Sequence, residues 1–212
     1  MCGRFALVAD LTKIAEHFDV GKTSSDFKPN WNISPGQYIP AVIHRDGHNI
    51  LEYFLWGLIP FWAKDPAIGQ KLINARAETI GEKPSFRNAL EKRRCLIVAD
   101  GFYEWKQDGK KKVPWYFYLK SGESFGLAGL YESWISPENM QINTCSIITT
   151  VANKLIKPIH ERMPVIIPQE QENIWLSDRM PDSTALSAVL KPYPAEKMDY
   201  KAGMGPEFAE NK

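Results

Sequence analysis

The sequence predicts an α+β protein with one mixed domain, in which mostly antiparallel strands form a sheet or barrel-like core and helices lie at the periphery. Five segments from residue 95 onward are rich in β-branched and aromatic residues: 95–99, 101–105, 114–119, 124–134 and 143–151. A chain of 212 residues can bury one full-sized core. No repeat, low-complexity stretch or linker divides it, so we expect one domain over 1–205 and a C-terminal tail over 206–212.

The first half of the chain predicts a helix and a hairpin joined by loops. Apolar residues at helical spacing within 6–19 predict the helix, and Asp10 is its expected N-cap. Two strand-like runs, 39–44 and 51–58, flank the turn signal Asp46-Gly47 and predict the hairpin. Proline, glycine or polar residues predict loops over three further segments: 27–40, 56–62 and 74–79.

The remaining short elements follow from local signals. Asp108-Gly109 predicts a hairpin tip, and a helix over 85–92 is expected to begin at the cap Ser85. We further expect helices over 153–159, 169–176 and 183–190 and a strand over 164–167. The polar segment from Tyr193 onward is expected to pack little against the domain.

Composition excludes several classes of protein. The formal net charge is +1, so any nucleic-acid footprint must be local. Three cysteines without close pairing argue against a disulfide framework and indicate a reducing compartment. No apolar run approaches the roughly 20 residues of a membrane helix, and no signal-peptide pattern is present. We therefore expect a cytoplasmic protein with no membrane partner and, by default, a monomer.

The N-terminal Met1-Cys2-Gly3-Arg4 stretch carries the most distinctive chemistry. Removal of Met1 would leave Cys2 with a free α-amine and a thiol on neighbouring carbons. Such an aminothiol condenses with an aldehyde to an imine, and the thiol then closes a five-membered thiazolidine ring. An internal cysteine cannot do this because its nitrogen belongs to an amide. A cysteine at position 2 by itself is also compatible with chance.

Glu104 is the second candidate, because it interrupts the aromatic run Phe102-Tyr103-Glu104-Trp105. A buried carboxyl has a raised pKa and is suited to proton transfer. Strand alternation places Glu104 on the face of Phe102, opposite Tyr103 and Trp105. Alternation alone leaves open whether that face points into the core or into solvent.

Other polar residues could complete a site. His160 lies in a constrained turn between two prolines and could act as a general acid or base, or could merely cap that turn. Arg4, Arg76 and Arg162 could bind phosphate. A zinc set of Cys2, Cys95, Cys145 and His160 is disfavoured because short ligand spacings are absent, and we expect no metal. The lysine run 110–112 is expected to be a solvated hairpin tip, with DNA contact a minority alternative.

Five motifs in order, from Cys2 to about Pro168, resemble the SRAP family (SOS-response-associated peptidase domain), whose members shield abasic sites in single-stranded DNA. The motifs are Cys2-Gly3-Arg4, Trp56-Gly57-Leu58-Ile59-Pro60-Trp62, Asn74-Ala75-Arg76-Ala77-Glu78, Gly101-Phe102-Tyr103-Glu104-Trp105 and His160-x-Arg162-Met163-Pro164. The resemblance implies that Met1 is removed, by self-cleavage or an aminopeptidase. Cys2 would then cross-link to the aldehyde of an abasic deoxyribose, with weak lyase activity from the imine.

The resemblance also implies roles for the other residues. Asn74 is expected to hold the sugar or the Cys2 backbone, Glu104 to orient or deprotonate the Cys2 amine, and His160 to promote opening of the sugar ring. Arg4, Arg76 and Arg162 are expected to bind flanking phosphates, and Trp62 and Trp105 to stack or shape the pocket. No cofactor is implied. The implied partner is single-stranded DNA that contains abasic sites, and the replication machinery is a further candidate partner. When bound to DNA, the protein is expected to be associated with the nucleoid.

Two alternatives remain open, and one part of the chain departs from the family. A peptidase could use Cys2, Glu104 and His160 on other proteins, and a non-covalent reader could recognise modified bases or DNA structure. The segment 198–204 lacks the family's usual C-terminal strand pattern, so we expect terminal strand pairing to be weakened or missing.

Overall fold

The computed structural model describes residues 2–21, 28–179 and 182–205. Its thirteen strands in those residues are β1 Phe5–Leu7, β2 Asn30–Ile33, β3 Tyr38–Arg45, β4 His48–Trp56, β5 Asn74–Arg76, β6 Arg94–Ala99, β7 Gly101–Asp108, β8 Lys111–Leu119, β9 Phe125–Ile135, β10 Gln141–Val151, β11 Arg162–Pro164, β12 Ile166–Ile167 and β13 Met198–Ala202. The α-helices are α1 Leu11–His17, α2 Arg87–Lys92, α3 Gln169–Leu176 and α4 Ser183–Val189. Two 3-10 helices, Pro66–Lys71 and Ala195–Lys197, complete the set.

Five strands close into a barrel in the order β10-β4-β3-β6-β9 and back to β10. Every pairing in this ring is antiparallel except β10 with β4, which is parallel. Beyond the ring, β10 also pairs with β5 and β11, and β9 pairs with β12. The prediction of an α+β domain with a barrel-like, mostly antiparallel core is confirmed.

A second sheet, in the order β13-β8-β7-β1-β2, packs against the barrel. Side chains from both layers, among them Phe5 and Phe102 of the sheet and Phe54 and Ile147 of the barrel, belong to one continuous buried cluster. The backbone of this sheet comes close to an aromatic ring at Gly101, where a Cβ atom would lie 2.3 Å from Cζ of Tyr116. Only glycine fits there, at the first residue of the strand that carries Glu104.

Both hairpins and the first helix match their sequence signals. β3 and β4 turn at Asp46 and Gly47, which have φ angles of 52° and 80°, as a two-residue hairpin turn requires. Asp10 caps α1, since its side chain accepts from the Thr12 N–H at 2.7 Å. β7 and β8 pair up to Asp108 and Lys111, so the second hairpin tip is also where the sequence predicts it.

Several short elements differ from the prediction. Residues 5–7, which precede the predicted cap Asp10 and carry no predicted element, form β1, because the strand pairs with both β2 and β7. Two of the predicted loops contain strands, β2 and β5, whose pairing with distant strands overrides their loop-like composition. The single strand expected over 164–167 is two strands, since β11 pairs with β10 and β12 pairs with β9.

Two helix predictions are corrected as well. Residues 153–159 form consecutive hydrogen-bonded turns instead of an assigned helix. In α2 the N-cap is Phe86, which makes no side-chain cap bond, so Ser85 is not the cap. Buried Ala89 and Leu90 anchor that helix instead, which shows that packing determines its position.

The C-terminal segment pairs with the second sheet and is partly buried, so the expectation of weakened or missing terminal strand pairing is wrong. β13 pairs with β8 over five residues, from Met198 opposite Leu119 to Ala202 opposite Trp115. Met198 is 1% exposed, and the carbonyl oxygen of Tyr193 accepts from Nδ2 of Asn153 at 2.8 Å. The expected tail over 206–212 lies outside the described residues. Among the described residues, no helix is long and apolar enough to span a membrane.

Candidate active site at the junction of the two sheets

The four residues proposed for catalysis lie in or next to strands of both layers. Cys2 lies three residues before β1 and Glu104 lies within β7, and both strands belong to the second sheet. Asn74 begins β5, which pairs with barrel strand β10, and His160 lies two residues before β11, which pairs with the same strand. The fold therefore brings together residues that are up to 158 positions apart in the sequence.

Cys2 is fully buried, and Asn74 holds its backbone. Nδ2 of Asn74 donates to the carbonyl oxygen of Cys2 at 2.9 Å. The other amide atom, Oδ1 of Asn74, is buried and has no hydrogen-bond partner among the described residues. A buried oxygen without a hydrogen-bond partner can accept a hydrogen bond from a molecule bound in the site.

Glu104 points into the protein, which settles the alternative that strand alternation left open. The residue is only 3% exposed, and burial raises the pKa of its carboxyl, while the charge of His160 acts in the opposite direction. The pKa of the Cys2 thiol is raised well above its ordinary value, first by burial and second by the Glu104 carboxylate. Nucleophile and carboxyl are thus close enough to influence each other's ionisation.

His160 is held in one orientation by the strand that follows it. The backbone N–H of Arg162 donates to Nδ1 of His160 at 2.9 Å. The carbonyl oxygen of Arg162 lies 3.1 Å from Nδ1, so Nδ1 accepts from the N–H in one neutral tautomer and donates to the carbonyl oxygen in the other. In the tautomer whose Nδ1 accepts, Nε2 carries the proton and can act as a proton donor.

Arg162 is itself engaged within the protein. Its guanidinium donates to both carboxylate oxygens of Glu78, at 2.6 and 3.0 Å, and to the carbonyl oxygen of Thr149 at 2.6 Å. This bidentate pair lowers the pKa of Glu78. The sequence motif contained Glu78, but nothing in the sequence identified it as the partner of Arg162. Phosphate contact by Arg162 stays a prediction.

The other residues predicted to contact DNA differ in exposure and in partners. Nη1 of Arg4, the residue before β1, donates to Oδ1 of Asn32 in β2 at 2.8 Å. Arg76 is exposed at the end of β5. Trp105 is partly buried against Tyr103, and Trp62 is 49% exposed. Their contacts with nucleic acid likewise stay predictions.

The exposed aromatic loop that carries Phe61 and Trp62 is fixed from below by barrel residues that sequence reasoning missed. The Ile59 N–H donates to Oγ1 of Thr144 at 2.9 Å, and Nε1 of Trp134 donates to the carbonyl oxygen of Ala63 at 2.7 Å. Between these anchors, the Phe61 N–H donates to the buried carboxylate of Glu132, which also pairs with Arg93 at 2.9 Å. In the sequence, the only sign of this anchor is Glu132, a carboxylate within the largely apolar strand β9.

The other cysteines serve the core. Cys95 and Cys145 are fully buried, and burial raises the pKa of both thiols. Neutral thiols of this kind are poor metal ligands. No cluster of three or more potential metal ligands occurs in the part of the chain that the structure describes.

Taken together, the site holds a buried thiol, a carboxyl of raised pKa, an imidazole oriented by the Arg162 backbone and a buried amide oxygen. A nucleophile with neighbouring acid and base groups can perform covalent chemistry on an electrophilic carbon. The fixed positions of these groups on paired strands favour a preorganised reaction.

Comparison with known proteins places this arrangement in a family. The family model described as SOS response associated peptidase (SRAP) matches residues 1–202. The abasic site processing protein YoqW of Bacillus subtilis is 47% identical over 202 residues, covering 94% of this chain and 90% of the relative. YoaM of the same organism, which has the same description, is 46% identical over 202 residues, covering 94% and 89%. A crystal structure from Bacteroides thetaiotaomicron superposes with a TM-score of 0.89 at 31% identity, covering 100% of this chain and 95% of the other.

Proposed function

The chain belongs to the SOS response associated peptidase (SRAP) family, and we propose that it processes abasic sites in DNA by capturing them covalently through Cys2. Relatives that it matches over 94% of its length are described as abasic site processing proteins. The single observation that carries the mechanism is the position of Cys2, which is buried beside Glu104 and bonded through its carbonyl oxygen to Asn74.

The chemistry begins with hydrolysis of the Met1–Cys2 peptide bond, which frees the α-amine of Cys2. That amine adds to the C1′ aldehyde of the ring-opened deoxyribose, and water leaves to give an imine. The thiol sulfur then adds to the imine carbon while the thiol proton passes to the nitrogen. The product is a thiazolidine, and the net change is addition of the DNA with loss of one water.

The ionisation of the site supports this order of steps. Because the pKa of the Cys2 thiol is raised, the thiol is protonated at neutral pH and is not the first nucleophile. The α-amine of an N-terminus has a pKa near ~7.7–8.0, so it is partly neutral and reactive. Glu104, as a buried carboxylate, accepts a proton from the amine, returns it to the hydroxyl group that leaves as water, and then relays the thiol proton to the nitrogen as the ring closes.

The other two residues act on the sugar. His160 acts in the tautomer whose Nδ1 accepts from the Arg162 N–H: its protonated Nε2 donates to the ring oxygen or hydroxyl of the deoxyribose and promotes ring opening. Asn74 fixes the Cys2 backbone through Nδ2 and offers Oδ1 to a sugar hydroxyl. The imine can also lose its 3′ phosphate by β-elimination, so weak lyase activity accompanies capture.

Single-stranded DNA is the proposed substrate form. A lesion in a single strand has no opposing base, and its flexible backbone can deliver the sugar into a buried site without the cost of unpairing. Arg76, exposed at the end of β5, and Arg4 are proposed to contact the flanking phosphates. Trp62 and Trp105 are proposed to stack with neighbouring bases.

Intact mass measurement tests the proposal directly. Purified protein is weighed before and after incubation with an abasic single-stranded oligonucleotide, and Cys2→Ser is the matched control because it keeps the amine but lacks the thiol. We expect loss of Met1 and a gain equal to the oligonucleotide minus one water, stable to heat in the wild type alone. A protein that lacks Met1 yet gains no mass would contradict the proposal. Cleavage of unrelated peptides by that protein would favour the peptidase alternative.

A further inference from the structure

The β7–β8 hairpin continues well past Glu104 and becomes strongly basic. Residues 106–112 contain four lysines and one aspartate, whereas the formal net charge of the whole chain is +1. All seven residues are exposed. Within the described part of the chain, no ion pair connects these lysines to a carboxylate. The hairpin is therefore a local concentration of positive charge.

Two of the lysines lie on the same face of the hairpin as Glu104. Lys106 follows Glu104 by two residues, and its Nζ lies 5.6 Å from the centroid of the Trp115 ring, the residue paired with Glu104. Lys111 pairs with Asp108, which is on that face again. At about 3.4 Å per residue, the two lysines follow Glu104 at roughly 7 and 14 Å along the strand. They therefore extend the Glu104 face of the hairpin away from the site.

The outer half of β7 is also left open on the side of Cys2. β1 pairs with β7 at Phe102 and Gly101, and the Tyr103 N–H donates to the Arg4 carbonyl oxygen at 2.9 Å. Beyond that point, β8 is the only strand paired with β7 in the described residues. The chain direction is antiparallel, so the Cys2 end of β1 is the end nearer to the hairpin tip.

We propose that the outer half of this hairpin binds the phosphate backbone of the single strand on one side of the captured lesion. The proposal rests on the proposed function for the identity of the strand. Lysine side chains contact phosphates without reading bases. The guanidinium of Arg162 is already paired with Glu78, whereas no ion pair of the described residues involves the hairpin lysines. Lys106 and Lys111 make the contacts nearest the lesion, and Lys110 and Lys112 extend them at the tip.

The first test measures non-covalent binding of an undamaged single-stranded oligonucleotide, which cannot cross-link. The variant is Lys106→Gln/Lys111→Gln. The control is Lys13→Gln/Lys120→Gln, which also removes two exposed lysines. Both lie away from the hairpin tip: Lys13 comes after the C-terminal end of β1, and Lys120 comes directly after the C-terminal end of β8. The slope of log K against log salt should become shallower by about 1.4, or 0.7 for each lost contact, only in the hairpin variant.

The second test uses abasic oligonucleotides whose flanking nucleotides lie only 5′ or only 3′ of the lesion. At protein concentrations below saturation, the hairpin variant should cross-link more slowly than the wild type with one of these substrates and at the same rate with the other. The control should match the wild type with both.

The outcomes separate the two proposals. An unchanged salt slope in the hairpin variant, or an equal slope change in the control, overturns the hairpin proposal even if cross-linking is efficient. Equal slowing on both one-sided substrates also overturns it. If the wild type forms no cross-link, the proposed function fails, while the salt slope on undamaged DNA still decides whether the hairpin binds the strand.

Discussion

The backbone N–H of Arg162 donates to Nδ1 of His160 at 2.9 Å, and the side chain of the same arginine is clamped by Glu78. The backbone of Arg162 thus orients the His160 ring, and an ion pair fixes the side chain of Arg162. Because Glu78 lies just beyond β5, which begins with Asn74, the ion pair also connects the two strands that flank β10.

Glu78→Gln should weaken this clamp. We expect cross-linking to slow about 3- to 10-fold, the effect of losing a positioning hydrogen bond, and its pH profile to shift because His160 is less firmly held. The free energy of unfolding should fall by no more than about 1 kcal/mol, since Glu78 is half exposed. Rate-versus-pH curves and thermal unfolding measure the two effects. Glu82→Gln, in the same loop and exposed, should change neither, and an unchanged pH profile in Glu78→Gln would contradict the positioning role.

Asn74→Ala should impair capture more than it impairs folding. The substitution removes the 2.9 Å bond to the Cys2 carbonyl oxygen and the buried Oδ1 acceptor. We expect the rate constant for cross-linking at saturating DNA to fall by at least 10-fold while the affinity for undamaged single-stranded DNA is retained. Single-turnover kinetics and a binding titration provide the measurements. If affinity and rate constant fell together, Asn74 would be a general binding residue instead.

Glu104→Gln should change the pH dependence of stability. A carboxyl with a raised pKa binds its proton more tightly in the folded state than in the unfolded chain. The folded state therefore loses stability as pH rises from the ordinary value of 4.5 through the raised pKa, and the glutamine variant does not incur this loss. Relative to the wild type, Glu104→Gln should gain unfolding free energy from pH 4.5 towards pH 8, while its cross-linking rate falls about 10²- to 10⁴-fold.

Denaturant unfolding at several pH values measures this trend. Glu132→Gln is the instructive comparison, because Glu132 is also buried with a raised pKa but accepts from Arg93 at 2.9 Å. Its loss leaves Arg93 without that partner and should cost about 1–3 kcal/mol at neutral pH. A Glu104→Gln variant that became less stable than the wild type as pH rose would show that the carboxyl is ionised and stabilising in the folded state.

Met198→Ala should destabilise the whole domain, although the C-terminal segment is polar in sequence. Met198 is almost fully buried and begins the strand that pairs with β8. We expect a loss of about 2–5 kcal/mol, typical of a buried large-to-small substitution. Met198→Leu, which conserves volume, should cost less than about 1.5 kcal/mol. Chemical denaturation measures the free energy of unfolding of both variants. If the terminus were loosely packed, both variants would be as stable as the wild type, which would contradict this prediction.

The sequence alone determined the elements whose signals are local. The turns at Asp46-Gly47 and Asp108-Gly109 and the Asp10 cap depend on residue types that favour one backbone geometry, so they could be read without knowing the fold. The motifs that contain Cys2, Asn74, Glu104 and His160 likewise identified the residues that the structure brings to the junction between the sheets.

Only the tertiary structure decided the features that depend on distant partners. β2, β5 and β13 lack a strong strand pattern and exist because a neighbouring strand satisfies their backbone hydrogen bonds. Whether Glu104 faced the core could not follow from alternation, since both faces of β7 are aromatic and both are covered. The pairing of Arg162 with Glu78 joins residues 84 positions apart. Such contacts arise from packing two sheets together, a long-range event that no local pattern in the chain encodes.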